Sequence, residues 1–189
     1  MYKDFEDICG MRKLLNEELG RKTVDEFKRS AKTPLIVVLD NVRSLHNVGS
    51  VFRTADAFLV EALYLCGITG TPPNKEIQKT ALGSVESIDW KYFKTTAEAV
   101  VLLKQNGYKV YSIEQAEHAI ALNEFMPGKG EKLAVIFGHE VKGVEQEVIN
   151  LCDGVIEIPQ AGMKHSLNVA VSAGVVIWEL FRKFHLLPV

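Results

Sequence analysis

The chain has 189 residues, 47% of them hydrophobic and 24% charged, and its 22 Lys and Arg against 24 Asp and Glu leave a formal net charge of -2. This balance excludes a disordered, collagenous or long coiled-coil chain, and at roughly 100–200 residues per domain it leaves room for one domain or one domain plus a short arm. The near-neutral total gives no electrostatic reason to expect nucleic acid, so an RNA-binding surface requires basic residues clustered in space.

The chain opens with Asp4, Glu6 and Asp7 where a secretory leader needs a basic start and then an apolar run, and no stretch offers about 18 consecutive apolar residues. The three cysteines, Cys9, Cys66 and Cys152, are widely spaced with no C-x-x-C, which fits a reducing compartment. A cytoplasmic location is expected, with no membrane partner. Residues 1–33 read as a helical arm. From Asp4 to Lys32 the chain is charge-rich, with apolar positions at Met11, Leu14, Leu15 and Leu19 and then at Val24 and Phe27, the pattern of two short amphipathic helices. Gly20 stops the first, and Thr23 with Glu26 three residues later forms a capping box for the second. Whether this arm packs on its own domain or on a second subunit is open. Pro34 marks the entry to the main domain, residues 34–189.

From Leu35 the texture alternates. Strands are predicted at Leu35–Leu39, Ala62–Cys66, Ile88–Phe93, Tyr108–Ile113, Leu133–Phe137 and Val155–Ile158. Helices are predicted at Val48–Leu59, Glu76–Leu82, Ala97–Gln105, Glu145–Cys152 and Asn168–Phe184. Strands alternating with helices predict an α/β fold, a parallel sheet flanked by helices on both faces.

Such a fold invites a nucleotide, but the usual signatures fail. After the first strand the chain runs from Asp40 to Asn47 without G-x-G-x-x-G. Gly138 and Gly143 have the P-loop spacing, yet Val144 stands where the phosphate-binding Lys belongs, and Gly128-Lys129-Gly130 precedes a strand. His139-Glu140 is followed by Gly143 where H-E-x-x-H needs its second His, so no metal site is expected.

Three polar clusters follow predicted strands instead, at the strand ends where open α/β sheets collect ligands. The first is His46-Asn47-Val48-Gly49-Ser50-Val51-Phe52-Arg53. It reads either as a helix capped by Asn47 with a surface Arg53–Asp56 pair, or as a site. The second, Phe137 to Gly143, is either a β-turn with an exposed Glu140 or a functional loop. The third runs from Ile158 to Asn168, with few charges, into the most apolar helix of the chain. Ser166 and Asn168 serve there as caps, or the loop wraps a small, mostly apolar ligand.

Together, Asn47-Val-Gly-Ser-Val-Phe-Arg53-Thr-Ala-Asp56, Phe137-Gly-His-Glu140-Val-Lys-Gly143 and Ile158-Pro-Gln-Ala-Gly-Met-Lys-His-Ser166-Leu-Asn168 resemble, in order and spacing, the three motifs of the SpoU (TrmH-type) RNA ribose 2'-O-methyltransferases. The resemblance extends from about Pro34 to the C-terminus. It implies a SPOUT-type α/β knot, although chains do not in general thread loops. It implies S-adenosyl-L-methionine as cofactor, held at Gly138, Ile158 and Leu167 with Ile113 at the rim, and Gln160 stands where many relatives have Met.

The implied reaction is in-line attack of a ribose 2'-hydroxyl on the sulfonium methyl, with catalytic residues Arg53, Asn47, Glu140, Ser166 and Asn168. Arg53 matches the arginine often cast as base, but a guanidinium with a pKa above about 12 is a poor acceptor, so it is expected to orient the hydroxyl and stabilise charge. Members are usually homodimers, which implies that Asn168–Phe184 serves partly as dimer surface; the alternative is the core of a monomer. RNA is the implied partner. Arg43, Arg53, Lys142 and Lys164 would converge at the site mouth, while Arg12, Lys13, Arg21, Lys22, Lys28 and Arg29 punctuate the arm. A short arm in place of a separate substrate domain leans toward tRNA, such as a D-loop guanosine, over rRNA. The competing readings are an rRNA enzyme, a non-catalytic RNA-binding protein of the same fold, and a small-molecule enzyme using another nucleotide.

Overall fold

The computed structural model describes residues 12–164 and 166–185. Cys9 and Met11, and His165 within the third cluster, lie outside them. In the arm, one 3-10 turn, Asn16–Leu19, ends at Gly20 with φ 57°, and α1, Val24–Arg29, follows. Thr23 Oγ1 accepts from the Glu26 N–H at 3.2 Å and the Glu26 carboxylate accepts from the Thr23 N–H at 2.7 Å, so the capping box is formed. Leu14, Leu15 and Leu19 are exposed, so over the described residues the first expected helix is reduced to that turn. Phe27 is buried in the main core, with the Lys32 ammonium 3.4 Å from its ring centroid. This part of the arm packs on its own chain.

The remaining elements are β1 Thr33–Asp40, α2 Leu45–Ala57, β2 Val60–Cys66, α3 Lys75–Ala81, α4 Ser84–Ser87, β3 Asp89–Phe93, α5 Thr96–Gln105, β4 Tyr108–Ile113, β5 Ile120–Ala121, β6 Lys132–Phe137, α6 Gln146–Ile149, β7 Gly154–Glu157 and α7 Val169–His185. The seven strands form one sheet in the order β3-β2-β1-β6-β4-β7-β5, and every pairing is parallel. Period-two alternation divides the central strands between two cores. Leu35, Val37 and Leu39 of β1 and Leu133, Val135 and Phe137 of β6 join Val48, Phe52, Ile77, Val176 and Ile177 on the face covered by α2, α3 and α7. Ile36, Val38, Ala134 and Ile136 join Ala99, Val100, Leu103 and Val148 on the face covered by α5 and α6. Burial on both faces is why these strands read as unbroken apolar runs.

Three departures from the sequence reading have physical causes. Helix α2 begins at Leu45, and its cap is Ser44, whose Oγ accepts from the Asn47 N–H at 3.3 Å; Asn47 is not the cap but lies inside the first turn. The helix expected over 145–152 is only α6, four residues followed by turns. Strand β5 is two residues long and exists because β7 pairs with it, a contact no local pattern encodes. Strand β7 is inserted between β4 and β5, so a late strand enters between two strands consecutive in the chain. The knot itself stays an expectation of the resemblance. Helix α7 is fastened by a buried amine: Lys183 Nζ donates to the carbonyls of Leu122 at 2.5 Å and Phe125 at 2.6 Å and lies 3.1 Å from Glu179. Burying this charge is tolerated because it is paired and hydrogen-bonded. No helix among the described residues is long and apolar enough to cross a membrane.

Candidate active site

Because all strands are parallel, the loops after β1, β6 and β7 emerge at one edge of the sheet. Strands β1 and β6 are neighbours, and the chain leaves β1 toward β2 on one side and β6 toward β7 on the other. That reversal of direction opens the crevice in which α/β sheets hold ligands.

Side chains from the three clusters meet there. Glu140, in the loop after β6, reaches across to the loop after β1. Its Oε1 accepts from the Ser44 N–H at 2.9 Å and from Asn47 Nδ2 at 3.3 Å, and its Oε2 accepts from the Arg43 N–H at 3.1 Å. Partial burial pushes the Glu140 carboxyl up, but the N–H donors of Ser44 and Arg43 outweigh it and hold the group below the usual carboxylate range. Asn47 accepts in turn at Oδ1 from Asn168 Nδ2 at 3.2 Å. Asn168 Oδ1 caps α7, accepting from the Ala170 N–H at 2.9 Å. The capping reading of Asn168 holds, and the same amide also links the third cluster to the first.

Beside this relay lies a cleft of about 740 Å³, within the range of small-molecule sites, lined by Ile113, Gly138, Ile158, Gln160, Ser166 and Leu167. Glu140 and Lys142 line it as well. The second cluster forms its wall as a tight loop in which His139 and Gly143 exchange backbone hydrogen bonds of 3.1 and 2.8 Å. A Cβ on Gly138 would meet the Gly143 carbonyl carbon at 2.1 Å and the Val144 nitrogen at 2.3 Å, so only glycine lets the loop fold back this closely. His139 Nδ1 accepts from the Val141 N–H at 3.0 Å, which makes the ring an organiser of the loop.

Other placements differ from expectation. Gly49 does give close approach, but to a helix: a Cβ there would meet the Ile77 carbonyl oxygen at 2.2 Å. Asp56 accepts from Ser87 Oγ and not from Arg53. Arg53 is exposed on α2, makes no hydrogen bond or ion pair among the described residues, and does not line the cleft; Lys164 is likewise exposed and off the cleft. Two contributors escaped the sequence reading. Ser44 carried a capping signal that Asn47 masked. Glu114 carried only its position at the end of β4, where its Oε2 accepts from the Val144 N–H at 3.1 Å and braces the cleft wall. Among the described residues no cluster of His, Cys, Asp or Glu has the arrangement of a metal site.

A parallel α/β sheet with a loop-walled cleft at its switch point has the architecture of small-ligand-binding α/β proteins, and the comparisons narrow it. Residues 34–178 match the model of the SpoU rRNA Methylase family. The chain is 35% identical over 166 residues, 88% of this chain and 84% of that protein, to the tRNA (guanosine(18)-2'-O)-methyltransferase of Thermus thermophilus. It is 30% identical over 168 residues, 88% of this chain and 66% of that protein, to a 23S rRNA (guanosine-2'-O-)-methyltransferase of Vibrio parahaemolyticus. Among solved structures, the A. aeolicus TrmH/SpoU tRNA modifying enzyme superposes with a TM-score of 0.75 at 26% identity, covering 85% of this chain and 80% of that one. An AdoMet-bound rRNA methyltransferase from Sinorhizobium meliloti gives 0.74 at 27% identity, covering 85% and 62%. The chain belongs to the SpoU methylase family.

Proposed function

We propose that this chain is an S-adenosyl-L-methionine-dependent RNA methyltransferase acting on a ribose 2'-hydroxyl, with tRNA as substrate and a D-loop guanosine as the target nucleotide. One observation carries the reading: Glu140, Asn47 and Asn168, from three distant segments, join in a single hydrogen-bonded relay beside a cleft lined by Gly138, Ile158 and Leu167. The tRNA preference is supported by the 35% identity to a tRNA enzyme, against 30% to the rRNA enzyme.

The cleft fits the cofactor in size and chemistry. Ile113, Ile158 and Leu167 supply apolar walls, and the bare backbone at Gly138 lets a flat base and ribose approach the main chain. When bound, the cofactor supplies an electrophilic sulfonium methyl. The residues of the chain then act by positioning, which suits a displacement needing little covalent help. Arg53, without a protein partner among the described residues, anchors an RNA phosphate and stabilises negative charge as the hydroxyl ionises. Glu140, engaged by three N–H donors that hold it ionised, is a clamp and not a base. Asn47 and Asn168 hold the first and third loops in register, and exposed Ser166 donates to the ribose at the cleft lip. A phosphate oxygen of the RNA assists loss of the hydroxyl proton.

The outer face of α7 exposes Val171, Val175 and Trp178 at i, i+4 and i+7, while Ala173, Val176, Ile177 and Leu180 fill the core behind them. A second copy of the chain covers this stripe in a homodimer. The protein works in the cytoplasm, where its RNA is found. Methyl transfer from labelled S-adenosyl-L-methionine to unmodified tRNA and, separately, rRNA tests the function. Alkali-resistant label in tRNA that disappears with Arg53→Ala, with cofactor affinity unchanged, is the expected result. Label in rRNA alone moves the substrate, and a fully active Arg53→Ala removes the role given to Arg53.

A further inference from the structure

Glu140 can clamp the first loop only because that loop is itself held in place. The chain leaves β1 at Asp40 and turns sharply at Asn41, which adopts φ 56°, in the left-handed region. Two segments bolt this turn to the loop after β2. Asn41 donates its N–H to the Cys66 carbonyl at 3.2 Å, and its Oδ1 accepts from the Ile68 N–H at 3.1 Å. Gly67 has no Cβ, which would lie 2.1 Å from Asn41 Oδ1. The second bolt is Thr69. Its hydroxyl, in a side chain only 3% exposed, donates to the Leu39 carbonyl at 3.0 Å and accepts from the Val42 N–H at 3.0 Å.

The next two residues after Val42 are Arg43 and Ser44, whose N–H groups grip Glu140, and Ser44 also caps the helix that carries Asn47 and Arg53. The path is therefore short: Thr69 fixes Val42, Val42 sets the direction of the Arg43 and Ser44 amides, and those amides seat Glu140 and, through it, Asn47.

We propose that Thr69 is a positioning residue for the transfer reaction, its hydroxyl holding the 42–44 turn so that the Arg43 and Ser44 amides face Glu140. Nothing else among the described residues accepts the Val42 N–H, a buried donor that would otherwise go unpaired. Thr69 is remote in sequence from all three clusters and does not itself line the cleft. Its effect on catalysis passes wholly through the backbone of the turn.

The proposal rests on the methyltransferase reading, and its test separates the two. Wild-type methyl transfer is measured first; its absence defeats that reading and leaves the second measurement below to judge Thr69. Thr69→Val keeps the shape and removes the hydroxyl, and Thr69→Ser keeps the hydroxyl. The expected result is a kcat lowered about 10-fold or more in Thr69→Val, the size of a misplaced catalytic group, with cofactor affinity unchanged and kcat restored in Thr69→Ser. A merely structural Thr69 would lower thermal stability while kcat per folded molecule stays the same, and that outcome overturns the proposal. Amide hydrogen exchange reads the geometry without activity: the Arg43 and Ser44 amides are expected to exchange faster in Thr69→Val while those of α7 keep wild-type rates. Unchanged exchange at both amides overturns it as well. Should Thr69→Val not fold, Thr69→Cys, with a weakly bonding thiol of similar size, takes its place in both measurements.

Discussion

Asn168 Nδ2 donates to Asn47 Oδ1 at 3.2 Å, a single hydrogen bond between residues 121 apart that ties the start of α7 to the first turn of α2. Because the same Asn47 amide donates to Glu140, the three segments are joined in one hydrogen-bonded relay. Asn47→Ala and Asn168→Ala should each lower kcat at least 10-fold, and the double variant should be little worse than either. A double-mutant cycle on urea unfolding should give a coupling of about 0.5–1.5 kcal/mol, the net worth of one such bond. Strictly additive losses in both readouts would show that the two amides act separately.

The Glu140 carboxyl is held below its usual range in the folded chain, so protons bind the unfolded chain more readily. Its contribution to stability is therefore complete above the unfolded pKa, about 4.3, and is lost as pH falls through the lower folded value. Thermal melts of Glu140→Gln should be less stable than wild type near neutrality and converge on it as pH falls below about 4. A gap that persists to low pH would mean the ionised form is not what the Arg43 and Ser44 amides recognise. The group is solvent-accessible, so the effect is expected to shrink with added salt.

Gly138 and Gly162 both lie in the loops of the site, but only one is needed for its geometry. A Cβ at Gly138 drives into the Gly143 and Val144 backbone, whereas one at Gly162 meets nothing within 4 Å. Gly138→Ala should cost about 1–3 kcal/mol of stability, as overpacking does, and weaken S-adenosyl-L-methionine binding at least 10-fold by calorimetry. Gly162→Ala should match wild type in both. Equal affinity in the two variants would separate the Gly138 backbone from the cofactor cleft.

Trp178 is 46% exposed on α7, its ring tilted against Phe58 at a centroid distance of 5.5 Å, and continues the Val171 and Val175 stripe. Light scattering should find a dimer in wild type and a monomer in Val175→Glu or Trp178→Glu, with circular dichroism unchanged because the inner face of the helix is untouched. A wild-type monomer would leave the stripe without the partner assigned to it.

The sequence by itself determined the sheet and its two-sided cover, because an apolar run of five residues such as Leu35 to Leu39 or Leu133 to Phe137 has few ways to bury itself, and the alternating helical spacing between such runs places helices on both faces. It also marked Glu140, Ser166 and Asn168, since a carboxylate between glycines and a polar loop before an apolar helix are local patterns. Asn47 shows the boundary. Locally it reads as a cap, because Asn, Ser and Asp compete for that role at nearly equal strength. The tertiary structure gave the cap to Ser44 and thereby freed the Asn47 amide for Glu140 and Asn168. Thr69 and Glu114 carried no readable signal, since a hydroxyl or carboxylate at a strand end is common and becomes specific only when a backbone amide distant in sequence is delivered to it. Local preference fixes what each segment forms; which amide a side chain meets is decided by how parallel strands, distant in sequence, are ordered in the sheet.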